Sequence, residues 1–277
     1  MKFTDSHCHL DFTEFYSNLT SILEQCESKK IHRIIVPAVN PEHWDRVLNL
    51  TTINEKISIA CSLGIHPWFV ILQDRSTPQK YDVTLQEIKL KEAVALNKGN
   101  IVAIGECGID VFKAKKNTTS EAAYKKNIQL QQEFFDMQLS LSKENNLPII
   151  VHHCQSHSLI LPLLKKHKLN KAGVIHAFSG SYQQAKAYLD LGFKFGIGGT
   201  ITYPRAKKTI NTVKRLPLTS LLLETDAPAM PLSGMQGEIN SPLNILAIFQ
   251  ALVNIRSESK ENIAAQIENN VEQLFFS

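Results

Sequence analysis

No run of this 277-residue chain is long and apolar enough to cross a membrane. The opening MKFTDSHCHL also lacks the apolar core of an export signal, so a cytoplasmic protein without a membrane partner is expected. Cysteine is sparse: the 5 present are odd in number, which suits thiols rather than a disulfide framework. Aromatic residues make up 8%, and the two tryptophans, Trp44 and Trp68, stand apart rather than forming an interleaved stacking platform. Neither sign of charge dominates. The net +4 permits a polyanionic ligand but is far from the basic stripe of a DNA-coating protein. No Gly/Ser-rich or Pro-rich linker, low-complexity tract or tandem repeat divides the chain, so one domain over residues 1–277 is expected, with a monomer as the default. No G-x-G-x-x-G follows the first apolar run, which argues against a doubly wound dinucleotide-binding sheet.

What is present is a rhythm. Short apolar runs recur as KFTDSH, IHRIIVPAV, ISIACSLGIHP, IVAIGECGID, LPIIVHH, AGVIHAFSG, FKFGIGGT and LLLETDAP. They are nearly continuous rather than alternating, as strands covered on both faces read. Amphipathic segments lie between them. From Glu121 to Asn145, Leu130, Phe134, Met137 and Leu141 fall on one helical stripe. Another helix is expected to open on Asp82 and close near Gly99, and the last to begin near Ser259 with Phe275 and Phe276 docking the C-terminus. Eight strands alternating with helices imply a parallel α/β fold, the TIM (β/α)8 barrel, whose usual size of about 250 residues suits this length.

Active sites of such barrels lie where the strands end, and this chain places metal-binding side chains there. The first strand ends in His7 and His9, which alternation turns to one face while Cys8 points away. The later strands end in His66, in Glu106 and Asp110, in His152 and His153, in His176 and Ser179, and in Glu224 and Asp226. Buried imidazoles and carboxylates without partners cost several kcal/mol, about 2–7 for a neutral polar group, so their recurrence points to a use. Imidazole with carboxylate and without thiolate suits Zn, Mn, Mg, Fe or Ni. There are more donors than one tetrahedral ion needs, which suggests two ions bridged by a carboxylate, an arrangement suited to displacement at phosphorus. An aspartate at such a site can take a proton from the attacking water. Spacing leaves the choice between His152 and His153 open.

TDSHCHLD, GIHP, GECGID, PIIVHH, HAFSG and ETDAP occur in an order that resembles the TatD-like metal-dependent hydrolases. IIVPAV, GGTITYPRA and LLLETDAPAMPL are similar to its YjjV-type branch, and the likeness runs from Thr4 to the terminal NVEQLFF. The resemblance implies a barrel, two divalent cations (Mg, Mn or Zn) and a hydrolase of ester bonds, a phosphodiesterase of the deoxyribonuclease type acting on DNA or another phosphoester. It implies His7, His9 and Asp226 at one ion, Glu106 bridging, and His152 and His176 at the second, with Glu106 and Asp226 catalytic and Asp226 the proton acceptor. The family pattern selects His152 over His153. One departure stands out: the family commonly has an arginine two places after the fifth-strand histidine, and here that place is Cys154. A bidentate phosphate clamp is lost there. Arg205, or Lys113, Lys115 and Lys116, could restore the charge. The alternative is a metal-dependent hydrolase of a small-molecule amide, lactone or aminoacyl ester.

Other residues receive lesser roles. His66 is expected to contact substrate, and His157, at a helix start, to contact a phosphate. Asp110 is expected to cap or orient its loop, Glu224 to support a ligating histidine, and Asn240 to pack beside the site. Cys8 and Cys107 read as small buried apolar groups, and His32, His43 and His167 as surface groups.

Overall fold

The apolar runs become strands because each has two cores to fill. The computed structural model describes residues 1–53, 56–71 and 78–277. In it β1 (Phe3–Asp5), β2 (Ile31–Pro37), β3 (Ser58–Leu63) and β4 (Ile101–Asp110) are followed by β5 (Ile149–Cys154), β6 (Gly173–Ile175), β7 (Lys194–Ile197) and β8 (Leu221–Leu223). Each pairs in parallel with its chain neighbours, in the order β1 to β8. Backbone bonds from Ser6 N to Leu223 O and from Asp226 N to His7 O, both 2.9 Å, bring β8 to β1. The result is the expected (β/α)8 barrel.

Alternation separates the two cores. Ile35, Ala60, Ala103, Ile150, Val174 and Leu222 pack together inside the barrel. Their neighbours Ile34, Val36, Ile149, Val151, Leu221 and Leu223 pack outward against the helices. Both faces are therefore apolar, as the unbroken runs require. The amino end of the interior is closed by the C-terminal helix, Lys260–Val271, which starts on Ser259 as expected, the Ser259 hydroxyl accepting from Asn262 N at 3.2 Å. Val271, Leu274 and Phe275 join the inner core, while Glu268 accepts from Thr4 N at 2.7 Å at the start of β1. Phe275 docks, but Phe276 stays 39% exposed under the Arg33 guanidinium.

The helix Glu121–Asn145 has its expected bounds, with Ser120 as N-cap. The helix Val83–Leu96 starts on Asp82 as expected but ends before Gly99, because Asn97 caps it, with Nδ2 donating to Ala93 O at 2.9 Å. His32, His43 and His167 are not free surface groups. Each has a carboxylate within reach: Glu268 at 2.7 Å, Asp11 at 2.5 Å and Asp136 at 2.7 Å. Among the described residues no helix is long and apolar enough to cross a membrane.

Candidate metal centre

Inward alternation continues to the carboxyl ends of the strands and just beyond them. From Ile150 the next inward position is His152, from Val174 it is His176, and from Leu222 come Glu224 and Asp226. From Ala60 the same count reaches His66. β4 breaks the pattern, since counting from Ala103 would turn Gly105 and Cys107 inward. An irregularity of register between Ile104 and Cys107 shifts the phase, so Glu106 faces the interior and Cys107 packs in the outer core. Such irregularities re-aim side chains at barrel rims. The chains also come close here, because a Cβ on Gly64 would meet the Gly105 backbone at 2.5 Å.

The five other donors named from the sequence gather around Glu106. Its Oε2 lies 3.1 Å from His7 Nε2 and 3.5 Å from His9 Nε2, and Asp226 Oδ1 lies 3.6 and 3.5 Å from the same two nitrogens. Its Oε1 lies 2.9 Å from His152 Nδ1 and 2.9 Å from His176 Nε2. One carboxylate thus faces two groups of donors with its two oxygens. His66 Nε2 also stands 3.1 Å from Oε1.

Groups behind the rings decide which nitrogen keeps a free lone pair. His9 Nδ1 faces Pro37 O at 3.2 Å, His152 Nε2 faces Asp110 Oδ2 at 3.3 Å, and His176 Nδ1 faces Glu224 Oε1 at 3.5 Å. Each of these outer partners is an acceptor, so in the neutral ring the proton stays outside and the lone pair points inward, as a metal-binding imidazole requires. His66 is the reverse. Its Nδ1 accepts from Trp68 N at 3.1 Å, so in the neutral ring the proton sits on Nε2 and points at Glu106.

Electrostatics follow from this crowding. Burial opposes ionisation of Glu106, but the imidazoles of His176, His66 and His7 outweigh it and hold the carboxyl well below its usual range. Asp226 is likewise held low, burial being overcome by the bond from His9 and the charges of His176 and His7. Burial disfavours a charged His176, yet Glu106 and Glu224 push it well above the ordinary imidazole value. His66, where burial wins, falls to about 4 and stays neutral. A divalent cation would compete for these carboxylates with the protons they draw onto the histidines.

The surroundings extend the design. Asp110 caps the helix Val111–Lys116, accepting from Lys113 N at 2.7 Å, and also accepts from Trp68 Nε1 at 2.6 Å. Asn240 is buried and donates to Thr225 O, Ala229 O and Met230 O, which pins the loop after β8 that carries Asp226. The helix Glu121–Asn145 reaches in with two buried amides. Gln138 bonds both Ile65 N and Ile65 O, at 2.7 and 3.0 Å, and Gln131 Oε1 accepts from Asp110 N at 2.8 Å. Sequence reasoning missed these glutamines and the place of Trp68, since helical periodicity marks apolar faces and says nothing of a polar group aimed into them. Cys8 and Cys107 are buried thiols that burial holds well above their normal pKa.

A cavity of about 810 Å³ opens over the centre, with His9, Glu106, His152, His176 and Asp226 at its base and Phe12, Trp68, Phe112 and Met230 among its walls. Cys154 and His66 line it too. Neither Arg205 nor His157, both expected to contact substrate, lines this cavity. Arg205 is exposed, with its guanidinium over the Tyr203 ring at 5.1 Å, beyond the turn Gly199–Thr202. His153 alternates outward from β5, and its ring and that of His157 pack on Tyr188 in the helix layer, 5.7 and 5.0 Å away. Lys113, Lys115 and Lys116 form part of the helix Val111–Lys116 rather than a loop.

Comparison with known proteins agrees with this centre. Residues 4–276 match the family model described as TatD related DNase. The chain is 40% identical over 274 residues, 99% of its length and 98% of the relative's, to the "Uncharacterized metal-dependent hydrolase YjjV" of Escherichia coli K12. It is 36% identical, over 99% of its length and all of the relative's, to an "Uncharacterized metal-dependent hydrolase" of Haemophilus influenzae. The crystal structure of the E. coli YjjV protein, a TatD homologue, superimposes with a TM-score of 0.87 over 99% of this chain and 98% of that one, at 37% identity. With an imidazole and carboxylate cluster at the mouth of a parallel barrel and this likeness along nearly the whole chain, the protein is a metal-dependent hydrolase that belongs to the TatD-related DNase family.

Proposed function

We propose that the protein hydrolyses phosphodiester bonds, with DNA the substrate to test first, using two divalent cations (Mg, Mn or Zn) at the barrel mouth. The observation that carries this reading is the division of Glu106, with Oε2 toward His7 and His9 and Oε1 toward His152 and His176. His7, His9 and Asp226 would hold one cation, His152 and His176 the other, and Glu106 would bridge. The donor set fits, because oxygen and imidazole nitrogen suit these metals and the acceptors behind His9, His152 and His176 leave lone pairs facing inward. Two such cations stabilise the entering and leaving oxygens of a displacement at phosphorus and lower the pKa of a water to roughly 7.

The chain's own groups supply the rest. Asp226 faces the cavity, is held ionised, and takes the proton of the attacking water on its carboxylate. Asp110 and Glu224 keep His152 and His176 turned inward. His66 would meet substrate with its ring at the cavity wall, its neutral Nε2–H being turned to Glu106 Oε1.

A second reading is favoured by Cys154, which puts a thiol rather than a cation on the wall. On that reading the substrate is a small amide, lactone or aminoacyl ester. The two are separated by stripping the protein with a chelator, restoring Mg or Mn, and assaying single-stranded DNA, double-stranded DNA, bis-nitrophenyl phosphate and a lactone panel. Phosphoester turnover that requires metal supports the first reading. Lactone or amide turnover without phosphoester turnover replaces it with the second.

A further inference from the structure

One wall of the cavity has a feature that the hydrolytic chemistry leaves unused. Trp68, after β3, is 50% exposed, yet its indole is fixed, with Nε1–H donating to Asp110 Oδ2 at 2.6 Å. Phe112, two residues beyond Asp110 in the helix Val111–Lys116, is 53% exposed and lines the same cavity. Apolar surface gains free energy when it leaves water, so a large ring held rigid and half uncovered beside a catalytic centre marks a surface that a ligand completes. Lys113 stands over that ring, with Nζ 4.4 Å from the Trp68 centroid. Asp110 fixes the pair, since it bonds the indole and caps the helix that carries Lys113. Lys80 and Lys89 add positive charge to the cavity lining.

We infer that Trp68 and Lys113 form a specificity subsite for one nucleotide unit, the indole stacking on an unpaired base and the ammonium binding the phosphate attached to it. The inference rests on the phosphodiesterase reading. Its logic is an exchange. An ammonium on an exposed ring face is weakly held, and a phosphate offers it a stronger, charge-assisted hydrogen bond. Lys113 sits on a flexible stem, so it can move to the phosphate and leave the indole face to the base. The base must be unpaired and unstacked, because bases within a duplex have both faces covered by neighbours. Every base has such a face, so the subsite selects for strandedness rather than for sequence.

The test uses the Mn-loaded protein and two single-stranded oligomers of equal length, one of thymidylate and one of abasic tetrahydrofuran units. Backbone and charge are the same, and only the bases differ. Wild type should favour the thymidylate oligomer by about tenfold in kcat/KM, the size expected for one stacked base. Trp68→Ala, and the bulkier Trp68→Leu if alanine prevents folding, should bring this ratio near one. Trp68→Phe should keep most of it, because the ring survives while the Nε1–H bond to Asp110 is lost. This separates stacking from the positioning of His152. Lys113→Gln should raise KM for both oligomers and reduce the slope of log KM against log salt by about 0.7, with the ratio kept. A wild-type ratio of one, or a ratio preserved in both Trp68→Ala and Trp68→Leu, overturns the subsite while leaving phosphodiester hydrolysis intact. Failure to cleave either oligomer overturns both.

Discussion

The carboxylate of Glu224 lies 3.5 Å from His176 Nδ1, on the edge of the imidazole away from Glu106. It also accepts a hydrogen bond from Ala177 N, and it fills space that only a glycine on β7 leaves open. A Cβ on Gly196 would fall 1.9 Å from Glu224 Oε2. Glu224→Gln should therefore weaken metal binding by roughly 10–100-fold, the usual cost of losing the partner of a metal-binding histidine. Gly196→Ala should do the same by displacement and also cost about 1–3 kcal/mol of stability through overpacking. Calorimetric titration of the chelator-stripped variants with Mn, beside their urea unfolding, checks both. Wild-type affinity in Glu224→Gln would remove Glu224 from the centre.

Glu106 and Asp226 should separate binding from proton transfer. Glu106→Ala removes the group common to both donor clusters, and metal bound per chain should fall toward zero in elemental analysis. Asp226→Asn should lower turnover by roughly 10²–10⁴-fold, the range of general acid–base catalysis, in a protein that still melts as wild type does. Turnover equal to wild type would reject Asp226 as the proton acceptor.

Asp5 should make the fold sensitive to pH. Burial pushes its carboxyl up to about 8, against hydrogen bonds from Thr225 Oγ1, Thr225 N and His7 N. Between its ordinary value of 3.8 and about 8 the folded chain keeps this proton and the unfolded chain does not. The unfolded state then binds fewer protons, so stability falls as pH rises through that window. Urea midpoints of the metal-free protein at pH 5 and pH 8 should show this decline, and Asp5→Asn should flatten it. Parallel declines in the two proteins would count against Asp5 as the source.

The two ends of the barrel should respond differently to substitution. Phe275→Ala empties a buried site in the inner core at the amino end, with an expected cost of about 3–5 kcal/mol. Because the metal donors stand at the opposite end, the folded fraction should keep wild-type kcat with saturating Mn. A large loss of kcat in fully folded protein would show that the plug at one end shapes the mouth at the other.

How far the residues foretold this arrangement depended on the range of the forces involved. Unbroken apolar runs such as IIVPAV and PIIVHH marked strands buried on both faces, since that burial is a property of each segment alone. The caps at Asp82 and Ser259 were equally readable, because a cap bonds a backbone amide three residues away. The helix that opens on Asp82 closes near Gly99, as read, but two residues short of it, because Asn97 supplies an earlier local stop. His153 and His157 could not be placed until β5 had a helix layer to face, and Arg205 could not be placed until the turn after β7 had set it over Tyr203, off the cavity lining.

Sequence by itself determined the number of strands, their parallel order and the donors at their ends, because periodicity and residue chemistry act over a few neighbours. Only the tertiary structure decided the phase of β4 that turns Glu106 inward, the polar groups behind each imidazole, and the meeting of Trp68, Asp110 and Lys113. Those depend on how one strand registers against the next and on atoms brought together from loops far apart in the chain, and a linear string holds no measure of either.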